Sequence, residues 1–328
     1  MRPLVSVIVP NYNHERFLTD RLDCIYNQTV QDFEVILLDD CSSDGSISIL
    51  KRYASHKKTT HYLVNNLSPK GTFIQWEKGI ELAQGSFIWI AESDDSCQPE
   101  FLENLIVPLL NDDSIGLSFC QSKRMNADGE ITGNWLTHTQ DYNNNIFVDD
   151  FILNGTYFIE RYLIHKNVIP NVSAVLFRSK SLKEILPLIQ KPFFRYNADW
   201  FYYIQILIHY KVAFISLSLN NFRYHDNSVI SRLVGESGVF RLLEMELQGR
   251  KYIRKYIKST VSDWSKIHLQ SKKADKKILL STTKRQFDQG NYFKLALFFL
   301  GRPPAMIVAL KQVLKKFLKS KYDTRTDL

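Results

Sequence analysis

Two acidic clusters in this chain stand directly behind apolar runs, where carboxylates can do chemistry. Residues 33–38 (FEVILL) end in Asp39 and Asp40, and residues 87–91 (FIWIA) end in Glu92, Ser93, Asp94 and Asp95. Adjacent carboxylates suit a hard divalent cation, which can in turn hold a diphosphate. A single Asp-Asp pair reads as a solvated acidic turn; the second copy of the pattern argues for a site. Further along, Asp199 opens a strongly apolar helical segment (DWFYYIQILIHY), where a carboxylate serves as a helix cap or dipole partner unless it does chemistry. His225 and Arg232 follow the apolar run at 212–219. The histidine is a structural hydrogen-bonder or a metal ligand, and the arginine is a surface cation or a diphosphate contact.

The elements that must position these groups are legible from periodicity. The β-branched run LVSVIV at residues 4–9 stops at Pro10 and the polar turn NYNHE. Residues 15–27 place Phe17, Leu18, Leu22, Ile25 and Tyr26 on one helical face. The run at 33–38 predicts a second buried strand, CSSDGS a turn and cap, and ISILKRYA a helix. HYLVNN predicts a weaker strand, FIQWEKGIELAQ a helix, and the run at 87–91 a strand buried on both faces. Strand alternates with helix, and both acidic clusters fall at strand carboxyl ends, where open α/β sheets bind ligands. Residues 115–121 predict a further strand with an Asp128-Gly129 turn behind it. Residues 134–145 read as a flexible loop, and 147–164 as a helix despite Gly155.

Several classes are excluded. No G-x-G-x-x-G follows a strand and no P-loop lysine motif occurs, so a diphosphate must be held another way. Cys24, Cys41, Cys97 and Cys120 show neither CxxC nor metal-ligand spacing, which predicts reduced thiols in a cytosolic chain. The apolar stretches fall short of the roughly 18 residues a membrane-spanning helix needs, and the N-terminal run is too short and too β-branched for a signal peptide.

Charge divides the chain in two. Residues 241–328 hold 21 Lys+Arg against 7 Asp+Glu, whereas residues 1–240 hold 21 against 27, within an overall net charge of +8. An acidic body with a basic tail describes two functional regions. Near the C-terminus Met306, Ile307, Leu310, Val313, Leu314, Phe317 and Leu318 form an apolar stripe beside Lys311, Lys315, Lys316 and Lys319. Such a stripe is either an interfacial helix on an anionic membrane or a helix packed on the body with a solvated basic face. Nucleic acid is disfavoured, because no recognition motif accompanies the charge.

Three ordered segments, SVIVPNYNHERFL, NQTVQDFEVILLDDCSSDGS and GIELAQGSFIWIAESDD, resemble the family-2 glycosyltransferases of GT-A fold, over about residues 4–232. The resemblance implies that Pro10, Tyr12 and Asn13 line a base pocket and that Asp40 accepts a hydrogen bond from uracil. It implies that Asp94 contacts ribose, that Asp95 holds Mg2+ or Mn2+ on the diphosphate, and that Asp199 is the catalytic base. His225 is then a candidate further metal ligand and Arg232 a diphosphate contact. Two departures stand out: E-S-D-D replaces the family's frequent D-x-D-D, and Ala198 precedes Asp199 where a second carboxylate is common.

The expectation is therefore an α/β protein with a GT-A, Rossmann-like mixed sheet flanked by helices (residues 1–240), followed by a basic helical extension (241–328). Its activity would be inverting transfer from a nucleotide-diphosphate sugar, most simply a UDP-sugar, to a glycan or lipid-linked acceptor, in the cytoplasm or on the inner face of the membrane. Two rivals are an inactive GT-A domain serving as a sugar-binding scaffold at a membrane, and a nucleotidyltransferase. The latter is disfavoured by the lack of a Gly-rich basic N-terminal loop.

Overall fold

In a computed structural model of the chain, residues 2–292 are described apart from 70, 143–144, 187–197 and 227, together with 295 and 298; for 229–237 only the backbone is described. The first third alternates as expected: β1 (Val5–Asn11), α1 (Glu15–Tyr26), β2 (Phe33–Asp39), α2 (Ser46–Ala54), β3 (Thr59–Val64), α3 (Thr72–Leu82) and β4 (Phe87–Ile90). β1 pairs in parallel with both β2 and β4, and β2 with β3. The register sets Val7 opposite Val35 and Trp89, and Asn11 opposite Asp39. Parallel pairing in this register brings the turns behind β1, β2 and β4 to one edge of the sheet.

The middle of the chain completes the sheet. β5 (Ser96–Cys97), α4 (Phe101–Asn111), β6 (Ile115–Met125), β7 (Ile131–Asn134), α5 (Leu136–Thr139), β8 (Phe151–Leu153), α6 (Gly155–Phe158), β9 (Val175–Arg178), α7 (Ser179–Ile185), α8 (Ala198–Leu207) and β10 (Lys211–Arg223) follow in order. The sheet runs β3-β2-β1-β4-β9-β6-β10-β5, with β7 beside β6 and β8 beside β10. β9 is antiparallel to both β4 and β6, so the sheet is mixed.

The side-chain period of two divides the core between the sheet faces. Ile8, Ile36, Leu38, Ile88 and Ile90 join one apolar cluster, and Val7, Val9, Val35, Leu37, Phe87 and Trp89 the other. Trp89 is fully buried, stacks on Phe101 at 4.4 Å and donates its indole N–H to the Ser173 carbonyl at 2.8 Å. Truncating such a side chain costs about 3–5 kcal/mol.

Three expectations change. Residues 147–164 are not one helix, because β8 pairs antiparallel with β10 before α6 begins. Gly155 lies against the backbone of the turn behind α8, where a Cβ would come within 2.0 Å of the Leu207 carbonyl oxygen. Asn154 caps α6 by accepting from the Tyr157 N–H. The stretch 134–145 holds a short helix, α5, and the buried Trp135, which donates to the Val168 carbonyl at 3.0 Å. The strand expected at 212–219 extends through Arg223, ending two residues before His225.

Two long helices close the described chain, α9 (Val229–Thr260), interrupted at Gly238 with φ of 70°, and α10 (Ser265–Asp288). The change of texture at residue 241 thus falls just past the interruption in α9. Ile253, Ile257 and Ile267 enter the core of the body. Arg250 is buried over Trp200 and donates to the carbonyls of Ile164 and His165 at 2.8 and 2.7 Å. This part of the basic extension is therefore seated on the body through apolar contacts and a hydrogen-bonded cation. The apolar stripe from Met306 to Leu318 lies outside the described residues. Among the described residues no helix is long and apolar enough to cross a membrane.

Candidate active site

The turns behind β1 and β2 are laced together. Asn11 donates to Asp39 at 2.8 Å, and Ser42 donates to Asp39 from both its backbone N–H and its hydroxyl. Asn13 has φ of 56°, a conformation that asparagine tolerates better than most residues. Its N–H donates to the Ser42 hydroxyl at 2.9 Å, and its side-chain oxygen accepts from the Ser43 N–H at 2.7 Å. Pro10 is buried in β1, and Tyr12 and Asn13 are half-buried beyond it. Asp40 is buried and accepts from the Asn65 and Gln75 amides at 2.9 and 2.7 Å and from the Gly71 N–H at 2.8 Å. Its carboxylate therefore also anchors the start of α3.

The acidic turn behind β4 sends its side chains three ways. Glu92 accepts from the Trp76 indole at 2.6 Å, and its N–H donates to the Ser173 hydroxyl at 3.1 Å. Burial and then the Asp94 charge raise the Glu92 carboxyl well above the usual carboxylate range. Asp95 is buried, accepting from the Asn171 amide at 2.6 Å and the Arg223 N–H at 2.9 Å. Burial, with Asp94 alongside, pushes it up to about 7 against the pull of Arg21. Asp94 stands 3.0 Å from His225 Nε2. Burial opposes its ionisation, yet the His225 hydrogen bond and the His14 imidazole hold it below its ordinary value.

Metal-binding geometry falls on Asp94 rather than on Asp95. His14, Asp94 and His225 are each half-buried and offer ligand atoms within 4.8 Å of one another. Asp95, the ligand expected from sequence, instead turns inward to Asn171 and the backbone of β10. Asp94, expected at the ribose, takes the outward position. The reason is local and steric: the Asp95 N–H closes a turn onto the Glu92 carbonyl at 3.3 Å, so strand alternation does not continue through 92–95. His225, also expected as a ligand, does reach the cluster. Its ring packs on Phe17 at 4.9 Å, and Phe17 in turn lies under the Arg223 guanidinium at 4.6 Å. Two imidazoles and a carboxylate fit a divalent transition ion such as Mn2+ better than Mg2+, which prefers oxygen.

Asp199 lies in the first turn of α8 and accepts from the Asn167 amide at 3.0 Å. Burial pushes it up to about 6, against the pull of the Trp200 N–H and Asn167. Asn167 and Asn171 bracket a five-residue stretch, NVIPN, so one piece of backbone holds Asp199 at one end and Asp95 at the other. His14, Asn167, Asn171 and Ser173 escaped sequence reasoning. Each is an ordinary polar residue in a loop, with no spacing that signals partners 32 to 81 residues away. Arg232 falls in α9, and its side chain lies outside the described residues.

The chain matches known proteins on the same body. The glycosyl transferase family 2 model covers residues 6–186. TuaG of Bacillus subtilis, named for teichuronic acid biosynthesis, is 28% identical over 229 residues, 68% of this chain and 84% of that protein. Glycosyltransferase GlyG of Streptococcus pneumoniae is 27% identical over 243 residues, 70% of this chain and 74% of that one. Among solved structures, S. aureus TarS 1-349 in complex with UDP aligns at TM-score 0.63 and 14% identity, over 99% of this chain and 92% of that one. The mannosyltransferase PcManGT from Pyrobaculum calidifontis, in complex with GDP-Man and Mn2+, aligns at 0.52 and 16% identity, over 98% and 88%. At these identities the two structures establish the fold, a mixed α/β sheet flanked by helices of GT-A type. With that fold around the matched acidic motifs, the chain belongs to glycosyl transferase family 2.

Proposed function

We propose that this glycosyltransferase transfers a sugar with inversion from a nucleotide-diphosphate sugar, most simply a UDP-sugar, to a hydroxyl of a glycan or lipid-linked acceptor. The observation that carries the reading is the single stretch 167–171, which holds Asp199 through Asn167 and the acidic turn through Asn171. A base and a donor-side carboxylate cluster supported by one backbone segment keep a constant separation, as a direct displacement requires.

In this reading the loops behind β1 and β2 (Pro10, Tyr12, Asn13 and Asp40) receive the base, and Asp94 and His225 hold Mg2+ or Mn2+. Bound there, the cation offsets negative charge on the departing diphosphate. Arg232 is assigned to the same diphosphate. Asp199 takes the proton of the acceptor hydroxyl as the oxygen bonds to the anomeric carbon. The bond from that carbon to the diphosphate oxygen breaks, and the nucleoside diphosphate leaves with the electron pair. Burial helps here: a carboxyl near 6 is largely ionised at neutral pH and is a stronger base than an ordinary aspartate. Asp95, Glu92 and Asn171 position the turn. The basic extension would hold the enzyme at an anionic inner membrane face, beside lipid-linked acceptors.

The test is release of nucleoside diphosphate from a panel of donors with Mn2+ and lipid-linked acceptors, followed by NMR of the product's anomeric centre. Release with inversion is expected. No turnover with any donor, or retention of configuration, overturns the reading.

A further inference from the structure

We infer that His14 is a third protein ligand to the cation, closing a two-histidine, one-carboxylate set with Asp94 and His225. Consequently the enzyme takes up a transition metal before it meets its donor. The inference rests on the reading above that a cation sits at Asp94, and it adds a residue from the opposite side of the site.

His14 stands at the end of the turn behind β1, immediately before α1. It is placed from two directions. The Ser93 hydroxyl, itself fully buried, lies 2.8 Å from its Nδ1, and the His225 ring meets it edge-on at 5.5 Å and 86°. Ser93 is the neighbour of Asp94, so the residue that orients the imidazole is tied to the carboxylate it would share an ion with. Such orientation of a ligating histidine by an adjacent hydrogen-bonding group is how protein metal sites hold their rings. The 3.0 Å between Asp94 Oδ2 and His225 Nε2 is about the edge of an octahedron with bonds of roughly 2.1 Å. The third ligand atom lies within 4.8 Å of both. All three residues are half-buried, which lets an ion reach them while keeping part of its coordination sphere for a ligand.

Two consequences follow from the donor set. A site with one carboxylate depends on an exogenous diphosphate to bind its ion, whereas three protein ligands hold the ion without one. Two imidazole nitrogens also discriminate against Mg2+, which prefers oxygen and dehydrates reluctantly, in favour of Mn2+ and later first-row ions. The site then binds metal first and donor second, with coordination positions left for diphosphate oxygens.

The experiment is Mn2+ titration of the full chain, followed by loss of the free-ion EPR signal, without nucleotide and again with UDP. Pulsed EPR of the bound ion counts coupled imidazole nitrogens. Wild type should bind Mn2+ without UDP, at least tenfold more tightly than it binds Mg2+ in competition, and should show two imidazole nitrogens. His14→Gln should weaken nucleotide-free binding at least tenfold, keep UDP-dependent binding through Asp94 and His225, and show one nitrogen. His14→Ala, checked for folding by circular dichroism, should behave alike. One imidazole nitrogen in the wild type, or nucleotide-free binding unchanged in both variants, overturns the inference while leaving a cation at Asp94. Should Asp94→Asn also bind Mn2+ normally with and without UDP, the metal reading beneath it fails instead.

Discussion

Asp94 Oδ2 lies 3.0 Å from His225 Nε2, joining the turn behind β4 to the end of β10 across 131 residues of chain. The neighbouring carboxylate, Asp95, is held by the same strand but from inside, accepting the Arg223 N–H at 2.9 Å. β10 thus sorts two adjacent aspartates, one toward the cation and one toward the protein.

This sorting predicts that Asp94→Asn and Asp95→Asn differ. Asp94→Asn should weaken Mn2+-dependent UDP binding by about 100-fold or more, because it removes a charged ligand and keeps its shape. Asp95→Asn should change it by less than about tenfold, while costing roughly 1–3 kcal/mol of stability through a disturbed buried network. Calorimetric binding of UDP with Mn2+, beside urea unfolding, separates the two. The reverse order of effects would return the metal to Asp95.

Asp40 should report on both base binding and folding. Asp40→Ala leaves the buried Gln75 amide and the Asn65 amide without their carboxylate partner, which predicts a loss of about 1–3 kcal/mol. Donor affinity should fall as well, with metal dependence retained. A variant as stable as wild type would show that the anchoring of α3 does not depend on this carboxylate.

For Asp199 the prediction concerns rate and pH. Asp199→Asn should still bind donor and should slow transfer by roughly 10²–10⁴-fold, the usual contribution of a positioned base. The carboxyl lies near 6 because burial disfavours its charge, so the wild-type rate should fall as pH drops through about 6. Its stability effect has the opposite sign. A carboxyl raised above its unfolded value makes the folded state lose stability as pH rises from about 4 to 6. Asp199→Asn should therefore be more stable than wild type at pH 7.5 and lose that advantage near pH 4. Helix capping alone predicts an active Asn variant, since asparagine caps as well as aspartate.

The basic extension can be tested apart from the chemistry. Binding of the full chain to vesicles should require anionic lipid and weaken with salt, since exposed charges are screened within about 8 Å at physiological ionic strength. Removing residues 292–328 should release it from vesicles. Transfer to a short soluble acceptor should remain within a few-fold of wild type, because Asp94, Asp199 and His225 all precede the cut. Indifference of the intact protein to anionic vesicles would assign the Met306 to Leu318 stripe to packing.

The local signals in this sequence determined the α/β frame and the edge on which the chemistry sits. Alternating apolar residues in VSVIV and FEVILL dictate strands buried on both faces, and the acidic residues behind them mark carboxyl ends. The motifs around Asp40, Asp94 and Asp95 carried the family. Three things were decided only by tertiary structure. Residues 147–164 carry enough apolar spacing for a helix, but the edge of β10 offered β8 backbone hydrogen bonds, and the tight fit at Gly155 set where α6 begins. The roles of Asp94 and Asp95 depend on a turn that breaks strand parity, and on Asn171, Arg223 and His225, which arrive from far along the chain. His14 meets Ser93 from 79 residues away. Periodicity and propensity are properties of neighbours along the backbone; a metal site is a property of neighbours in space, and packing of the sheet edge is what turned these loop residues into one.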